Sequence, residues 1–234
     1  MTKMIKLLSA AAAVAMFAGA AQAADMEVAP DAPSWSGAYI GVVGGYGWGD
    51  ADFSSNVDPD DGSIDVEGFL LGGQLGYDFD LGNGFVLGVV GDMSWSDMDG
   101  DTCIEGGIPG VCDGTPDDSY VEADIGWLGT IRARAGFATG SMLIYGTGGL
   151  AIADVEATVT NIAGLGDNYS DSNTQIGWVI GAGAEFMITE NMTIGAEYLY
   201  ADLGSEDFEF GASGIEAESD LTVNIVRASL NLRF

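Results

Sequence analysis

The chain has 234 residues, and its 36 Asp plus Glu, six Lys plus Arg and no His give a formal net charge of −30 at pH 7. This charge excludes a nucleic-acid-binding protein, because too few cations are present to neutralise phosphates. Hydrophobic residues make up 47% of the chain, and 37 Gly stand against five Pro, a composition that excludes a disordered chain and favours strands over a helical bundle.

The first 23 residues have the pattern of a Sec-type signal peptide. Two lysines precede an apolar run from Leu7 to Ala21, which ends in a small-residue cleavage site. A membrane anchor is the alternative, but the run is short for a span of about 20 residues. We expect residues 1–23 to be removed, residues 24–36 to form a short N-terminal segment and residues 37–234 to form one domain. The mature chain then has four Arg, no Lys and a formal charge of −32.

Eight segments alternate apolar and polar residues with the period of two that strands require. In chain order they are 37–52, 64–80, 85–97, 121–138, 141–158, 174–188, 192–210 and 219–234. Short turns at 81–84, 139–140 and 189–191 alternate with long acidic connections at 53–63, 98–120, 159–173 and 211–218. Short periplasmic turns and long extracellular loops are typical of outer-membrane barrels. The sequence therefore predicts an all-β fold, an eight-stranded antiparallel up-and-down transmembrane β-barrel.

The alternation also assigns side chains to the two faces of the barrel wall. In the fourth segment, Ile125, Trp127, Ile131, Ala133, Ala135 and Phe137 share the outward parity, and Asp124, Thr130, Arg132 and Arg134 the inward one. The charged side chains expected in the interior are Arg132, Arg134, Arg227, Arg233, Glu185, Glu197 and Asp92. An eight-stranded barrel is just wide enough for side chains, so we expect these charges to pair and fill it. Segment 142–154 is apolar on both parities, so the pattern does not tell which of its side chains face inward.

Outward aromatic residues fall at two levels, as the interfacial girdles of a membrane barrel do. Those beside the long connections are Trp48, Trp95, Trp127, Trp178 and Tyr200, and those beside the turns or the C-terminus are Phe79, Phe85, Phe137, Phe186 and Phe234. Phe85 and Trp95 are ten residues apart, which corresponds to roughly 25 Å in a strand tilted by about 40°. A soluble β-sandwich gives no reason for this separation of Trp from Phe.

The long connections contain the two cysteines and most of the acidic clusters. Export favours a disulfide between Cys103 and Cys112, with two free thiols as the alternative. Asp58, Asp60 and Asp61, and likewise Asp97, Asp99 and Asp101, flank a Gly without matching the EF-hand spacing. Solvated repulsive loops are the favoured interpretation, and weak divalent-cation bridging to lipopolysaccharide phosphates is the alternative.

Several short motifs, taken in their order along the chain, resemble a known family. They include Trp35-Ser-Gly-Ala-Tyr39-Ile-Gly41, Gly73-Gln-Leu-Gly76-Tyr77, Trp127-Leu-Gly-Thr-Ile-Arg132-Ala-Arg134, Leu143-Ile-Tyr145, Ala196-Glu197-Tyr198 and the terminal Val226–Phe234. With them, nearly the whole mature chain resembles the small outer-membrane β-barrels of alphaproteobacteria described as porin-family or outer-membrane immunogenic proteins. The resemblance implies a surface-exposed, often antigenic protein of the Gram-negative outer membrane. It also implies that Phe234, with Leu232 and Leu230, is the signal read by the outer-membrane assembly machinery.

Two functions from different classes fit this pattern. The first is a structural and surface-interaction protein with a filled barrel, whose partners are outer-membrane lipid, lipopolysaccharide and the assembly machinery. The second is a narrow passive channel, in which the inward glycines leave room for water; they are Gly72, Gly76, Gly88, Gly126, Gly181 and Gly183. A chain without His lacks Ser–His and Cys–His catalytic pairs, so we expect no enzyme, and haem or cation binding at the loops is less favoured. We therefore expect no catalytic, cofactor-binding or metal-binding residues, and the sequence names no extracellular partner.

Overall fold

Eight long antiparallel strands follow one another in chain order. The structure, a computed structural model, describes residues 34–55, 62–105, 108–109, 119–160, 169–210 and 215–234. The long strands are β1 (Gly37–Ser55), β2 (Gly62–Asp80), β3 (Phe85–Glu105), β5 (Ser119–Thr139), β6 (Met142–Thr160), β7 (Tyr169–Thr189), β8 (Met192–Phe210) and β9 (Ile215–Arg233). A two-residue strand, β4 (Ile108–Pro109), pairs with Ile104 and Glu105 of β3. Among the described residues, no helix is long and apolar enough to cross a membrane.

The strands form a closed ring. Each long strand pairs with its neighbours in the chain, the pairing of β2 with β3 included. In addition, β1 pairs with β9 from Tyr39 opposite Arg233 to Ser55 opposite Ala217. The β1–β9 ladder joins the two ends of the described chain and is the seam of the barrel. This closed eight-stranded antiparallel arrangement confirms the predicted fold class.

The short turns lie together at one end of the barrel, which we call the turn end; the opposite end is the loop end. At the turn between β2 and β3, Gly82, Asn83 and Gly84 all have positive φ, with Asn83 at 57°. Asn is among the few residues other than Gly that adopt this left-handed conformation readily. The local sequence therefore favours a tight reversal at this point.

The strands continue further toward the loop end than their apolar pattern indicated. β3 runs to Glu105 where the prediction ended at 97, and β7 begins at Tyr169 where the prediction began at 174. The backbone ladder continues through acidic residues that the hydropathy pattern assigns to connections. A tilted strand of about 20 residues rises roughly 50 Å, twice the height of an apolar membrane band.

The structure assigns faces to β6, which sequence alone left open. Leu143, Tyr145 and Ala151 are buried in the lumen, whereas Ile144 and Leu150 are exposed on the outer wall. Both parities are apolar because the inner one packs in the lumen and the outer one belongs to the apolar band. No periodicity argument separates two such faces.

A bulge in β5 overturns three face assignments. The register of β5 against β6 shifts between Ile125 and Trp127, and this extra residue inverts the parity beyond it. Ile125 therefore faces the lumen at 2% exposure, and Asp124 is exposed on the outer wall; the expected outward Ile125 and inward Asp124 were wrong. Gly126, expected to face inward, is exposed as well, with no atom beyond its chain neighbours within 4 Å of where a Cβ would stand.

Candidate functional site in the lumen and on the outer wall

A charge-balanced cluster crosses the middle of the lumen. This central quartet consists of Asp92 on β3, Arg132 on β5, Glu197 on β8 and Arg227 on β9. Arg132 donates from Nη2 to Asp92 and from Nη1 to Glu197, both at 2.8 Å. Arg227 donates from Nη1 to Asp92 Oδ1 at 2.8 Å and from Nε to Glu197 Oε2 at 2.9 Å. Thr130 completes the cluster by donating to Asp92 Oδ2 at 2.6 Å. Buried charges need such partners to offset their desolvation.

A second cluster lies nearer the turn end. This turn-end quartet consists of Asp78 on β2, Arg134 on β5, Glu185 on β7 and Arg233 on β9. Arg134 donates from Nε and Nη2 to the two carboxylate oxygens of Asp78 and from Nη1 to Glu185 Oε1 at 2.5 Å. Arg233 donates from Nη2 to Asp78 Oδ2 at 2.9 Å. Each quartet holds two arginines and two carboxylates, so each is neutral when fully ionised.

Two tyrosine rings line the guanidinium of Arg134. Its Cζ lies 4.8 Å from the ring centroid of Tyr39 and 5.0 Å from that of Tyr145. A planar, weakly hydrated guanidinium suits both the aromatic faces and the bidentate Asp78. The site therefore suits Arg. A Lys in its place could make neither the bidentate contact with Asp78 nor the flat contact with the two rings.

The seven charges that the sequence placed in the interior all lie in these two quartets. The eighth member, Asp78, was missed although it is 0% exposed. It shares its parity in β2 with the buried Gln74, whereas Tyr77 and Phe79 are exposed on the other face. The alternation test, applied to β2, would have found it.

An apolar layer fills the lumen between the central quartet and the loop end. Its members come from seven of the eight long strands: Val66, Leu70, Met98, Ile125, Leu128, Ala151, Ala153, Val179, Leu199, Ala201, Leu203, Leu221, Val223 and Ile225. Along β9 the order is Arg233, Arg227 and then Ile225, which places the layers one above another. A membrane barrel interior is expected to be polar, so this layer was not predicted from the sequence.

The inward glycines lie against bulky neighbours. A Cβ on Gly183 would stand 2.7 Å from the Tyr145 ring, one on Gly181 would stand 2.6 Å from Leu199 Cδ2, and one on Gly47 would stand 2.4 Å from Met98 Sδ. These neighbouring side chains occupy the space that the glycines leave.

A small void separates the central quartet from the apolar layer. It is lined by Leu70, Leu128, Ile225, Ser94 and Arg227, among others, and its volume is about 10 Å³. A single water needs a cavity of roughly 10–15 Å³. The void is therefore at the lower limit for one water.

The structure places the aromatic residues of both expected levels on the outer wall. Trp95, Trp178, Phe79, Phe85, Phe137, Phe186 and Phe234 are exposed, and Trp48, Trp127 and Tyr200 are half-buried there. Trp95 pairs with Trp127 across β3 and β5, and the rings of Trp178 and Tyr200 are 5.6 Å apart. Leu230, Leu232 and Phe234 alternate outward on the C-terminal strand.

A row of four carboxylates crosses the outer wall beyond the tryptophan level. Glu67, Asp99, Asp124 and Glu156 are direct register partners across β2, β3, β5 and β6, and all four are exposed. We call them the acidic row. Like charges directly opposite one another destabilise a sheet. Partial desolvation of the Asp124 carboxylate, together with the neighbouring carboxylates of Asp99 and Glu156, raises the pKa of Asp124 above the ordinary range of Asp.

A depression of about 510 Å³ adjoins the acidic row. Tyr46 and Phe69 line it together with Asp65, Glu67, Asp97, Asp99 and Asp101. Within the described residues, no group of three or more potential ligands has the arrangement of a metal site.

Several sequence predictions fall outside the described residues. They are the signal peptide, the Asp58–Asp61 cluster and, because Cys112 is one of its partners, the disulfide. The side chain of Cys103 is not described either. These stay predictions.

Comparisons with known proteins agree with the barrel geometry. A family model described as the outer membrane protein beta-barrel domain matches residues 9–234. The 31 kDa outer-membrane immunogenic protein of Brucella melitensis is 38% identical, in an alignment that covers 98% of this chain and 100% of that protein. The 22 kDa outer membrane protein of Rhizobium leguminosarum is 32% identical, over 87% of this chain and 80% of that protein.

Among solved structures, the outer membrane protease OmpT of Escherichia coli matches with a TM-score of 0.51. The match covers 85% of this chain and 97% of that chain at 10% sequence identity. At that identity the likeness shows the fold alone.

Proposed function

The chain belongs to the outer membrane protein beta-barrel domain family, and from this premise we propose that it is a structural, surface-exposed barrel whose filled lumen does not conduct. It is an outer-membrane protein, and its alphaproteobacterial relatives include an outer-membrane immunogenic protein of Brucella and an outer membrane protein of Rhizobium, as the resemblance implied. The finer role is argued from the lumen and the outer wall.

The stacking of the lumen carries the proposal. Two neutral quartets and an apolar layer lie in series along the axis, and the space beside the inward glycines is occupied by Tyr145, Leu199 and Met98. An ion entering the apolar layer would lose its hydration without gaining a charged partner. This arrangement supports a filled barrel over a narrow passive channel.

Current recordings in planar bilayers test the filled lumen. We expect wild-type protein to give no steps above those of a protein-free bilayer. Leu199→Ala enlarges the lumen, and Leu87→Ala removes an exposed side chain from the outer wall as its control. The proposal would be overturned if the wild-type protein gave current steps of uniform size, and if Leu199→Ala changed that size while Leu87→Ala did not. Such a result would show a channel through the lumen.

The same contacts support a role without catalysis. Among the side chains that the structure describes, four carboxylates lie in the quartets of the lumen, and all are bound by arginines: Asp78, Asp92, Glu185 and Glu197. A general acid or base must be available to exchange a proton with a substrate. Carboxylates engaged in this way support structural pairing.

Exposure at the cell surface is proposed from the strand lengths. The strands extend beyond the tryptophan level at the loop end, whereas the turn end has only short reversals. An epitope tag inserted within 161–168 should bind antibody on intact cells, and the same tag in the turn at 190–191 should bind only after permeabilisation. The reverse pattern would invert the orientation.

Lipopolysaccharide is the proposed lateral partner. Both lysines of the chain lie in the signal peptide, and all four arginines lie in the quartets, so every charged side chain on the outer wall of the mature barrel is acidic. Contact between this wall and the phosphates of lipopolysaccharide requires divalent cations between them. The acidic row supports such bridging.

A further inference from the structure

Trp35 lies inside the barrel although it precedes the first strand. It is 1% exposed and packs against Val86, Leu143, Tyr145 and Met187. The sequence pattern places it in the short N-terminal segment, without a structural role. The chain therefore enters β1 from within the turn-end mouth of the lumen.

The indole and the backbone carbonyl of Trp35 bind opposite walls of the barrel. Its indole Nε1 donates to the carbonyl of Gly140, in the turn between β5 and β6, at 3.2 Å. Its own carbonyl accepts a hydrogen bond from Nη2 of Arg233, whose Cζ lies 5.2 Å from the Trp35 ring centroid. Around the ring of eight strands, the β5–β6 turn is diametrically opposite the β1–β9 seam.

The seam is the ladder whose stability depends most on an additional contact of this kind. Every other ladder between long strands joins consecutive strands, whereas β1 and β9 are joined only when almost the whole chain has folded, so its closure has the highest entropic cost. At the turn end the seam is held by a hydrogen bond from the Phe234 N–H to the Ala38 carbonyl at 2.9 Å. Gly37 allows this approach, because a Cβ there would stand 2.3 Å from Phe234 O.

We propose that Trp35 is a lock at the periplasmic mouth, which closes the lumen there and ties the β1–β9 seam to the opposite wall. Arg233 mediates the tie, since it lies on the seam strand β9 and its guanidinium binds the Trp35 carbonyl, while the Trp35 indole binds Gly140 on the opposite wall. The lock forms only when the N-terminal segment, the C-terminal strand and the β5–β6 turn are all in place. The contact therefore exists only in the completely closed barrel, where it slows the separation of β1 from β9.

Tryptophan quenching tests the position of Trp35 in the folded barrel. In a variant with Trp48, Trp95, Trp127 and Trp178 replaced by Phe, the remaining Trp35 should be shielded from aqueous acrylamide and from brominated lipid. A matched variant that keeps only Trp95, which is 74% exposed on the outer wall, should be quenched by brominated lipid. Quenching of Trp35 by either agent to the extent seen for an exposed Trp would overturn the lock.

Unfolding rates in lipid test the tie to the seam. Trp35→Ala should accelerate unfolding on the order of a hundredfold, because a large buried ring and both wall contacts are lost. Trp35→Phe keeps the ring over Arg233 and should have a smaller effect. Trp48→Ala, which removes a half-buried Trp from the outer face of β1, is the control and should change the rate less than either.

Cysteine staples separate a lock from ordinary packing. In a Cys103→Ser/Cys112→Ser background, Val42→Cys with Leu230→Cys bridges register partners across the seam, and Leu87→Cys with Ala135→Cys bridges β3 and β5. The seam staple should abolish most of the acceleration caused by Trp35→Ala, and the β3–β5 staple should not. Equal acceleration in both stapled proteins would reduce Trp35 to a packing residue, and if Trp35→Ala does not fold, Trp35→Phe gives the same comparison.

Discussion

Arg227 on β9 and Asp92 on β3 form a bidentate ion pair across the lumen, with Nη1–Oδ1 at 2.8 Å and Nη2–Oδ2 at 3.1 Å. Their strands are not neighbours, because β1 and β2 lie between them in the ring. The pair therefore constrains the separation of two walls that no backbone ladder joins directly.

Asp92→Asn should destabilise the barrel strongly. Asp92 also binds Arg132, so the substitution leaves two buried guanidiniums with one carboxylate between them; breaking a buried pair in this way costs about 3–5 kcal/mol. Denaturant unfolding in lipid vesicles measures the loss. Asp97→Asn, which removes an exposed charge from the same strand, is the control, and equal stability of the two variants would contradict the role given to the quartet.

Deletion of Phe234 should impair assembly in cells far more than refolding of the purified chain. The Phe234 side chain is 79% exposed, and its N–H contributes a single hydrogen bond to the seam, so refolding should lose little. An assembly machinery that adds a strand at an open edge would instead read this terminus. The test compares two quantities: the amount of folded barrel in outer-membrane fractions and the yield of refolding into detergent.

Phe186→Ala, which removes an exposed aromatic residue from the same level of the outer wall, is the control for that deletion. It should affect both settings alike. If the Phe234 deletion behaves in the same way, its role as an assembly signal is wrong.

Asp124 should titrate above the ordinary range of Asp, and Glu156→Gln should lower its pKa. Partial desolvation and the carboxylates of Asp99 and Glu156 raise that pKa. An acid with a raised pKa in the folded state binds its proton more tightly there, so its repulsion destabilises the barrel above the raised pKa and disappears as the pH falls below the ordinary value. Carboxyl NMR of the folded barrel in detergent follows this titration, and an unchanged pKa in Glu156→Gln would remove Glu156 as a cause.

Removal of divalent cations should weaken the association with lipopolysaccharide. Sedimentation of barrel-containing nanodiscs with lipopolysaccharide, with and without a chelator, measures the dependence on Mg²⁺. Replacement of Asp99, Asp124 and Glu156 by their amides should reduce it. A triple variant with Asn at Asp113, Asp117 and Asp118, in the connection 98–120, has the same change in charge and is the control. Equal loss in both variants would assign the effect to net charge and not to the acidic row.

Cys103 and Cys112 should be linked in protein taken from the outer membrane. A loop of about ten residues constrains the unfolded chain by roughly 2–3 kcal/mol, which is small beside a closed barrel. Mass spectrometry without reduction should find no alkylatable thiol. The Cys103→Ser/Cys112→Ser variant should still migrate differently before and after boiling in a denaturing gel.

The alternation of side chains was enough to predict the closed barrel, its turns and the inward arginines, because the bilayer leaves few alternatives for an outward charge. It failed at Ile125, since a bulge changes the parity without leaving a mark in hydropathy. It also missed Trp35, whose position depends on Gly140 and Arg233, partners 105 and 198 residues away. The apolar layer was missed for a different reason, because the interior of a membrane barrel is expected to be polar.

The seclusion of all four arginines in the lumen has a practical consequence for surface proteomics. Residues 24–234 contain no Lys, and Arg132, Arg134, Arg227 and Arg233 are all buried, so the folded mature barrel offers trypsin no accessible cleavage site. It also offers amine-reactive labels no lysine side chain. A bacterium could display this protein abundantly and yet yield none of its peptides when trypsin is applied to whole cells, whereas a protease that cuts at acidic residues would reveal it.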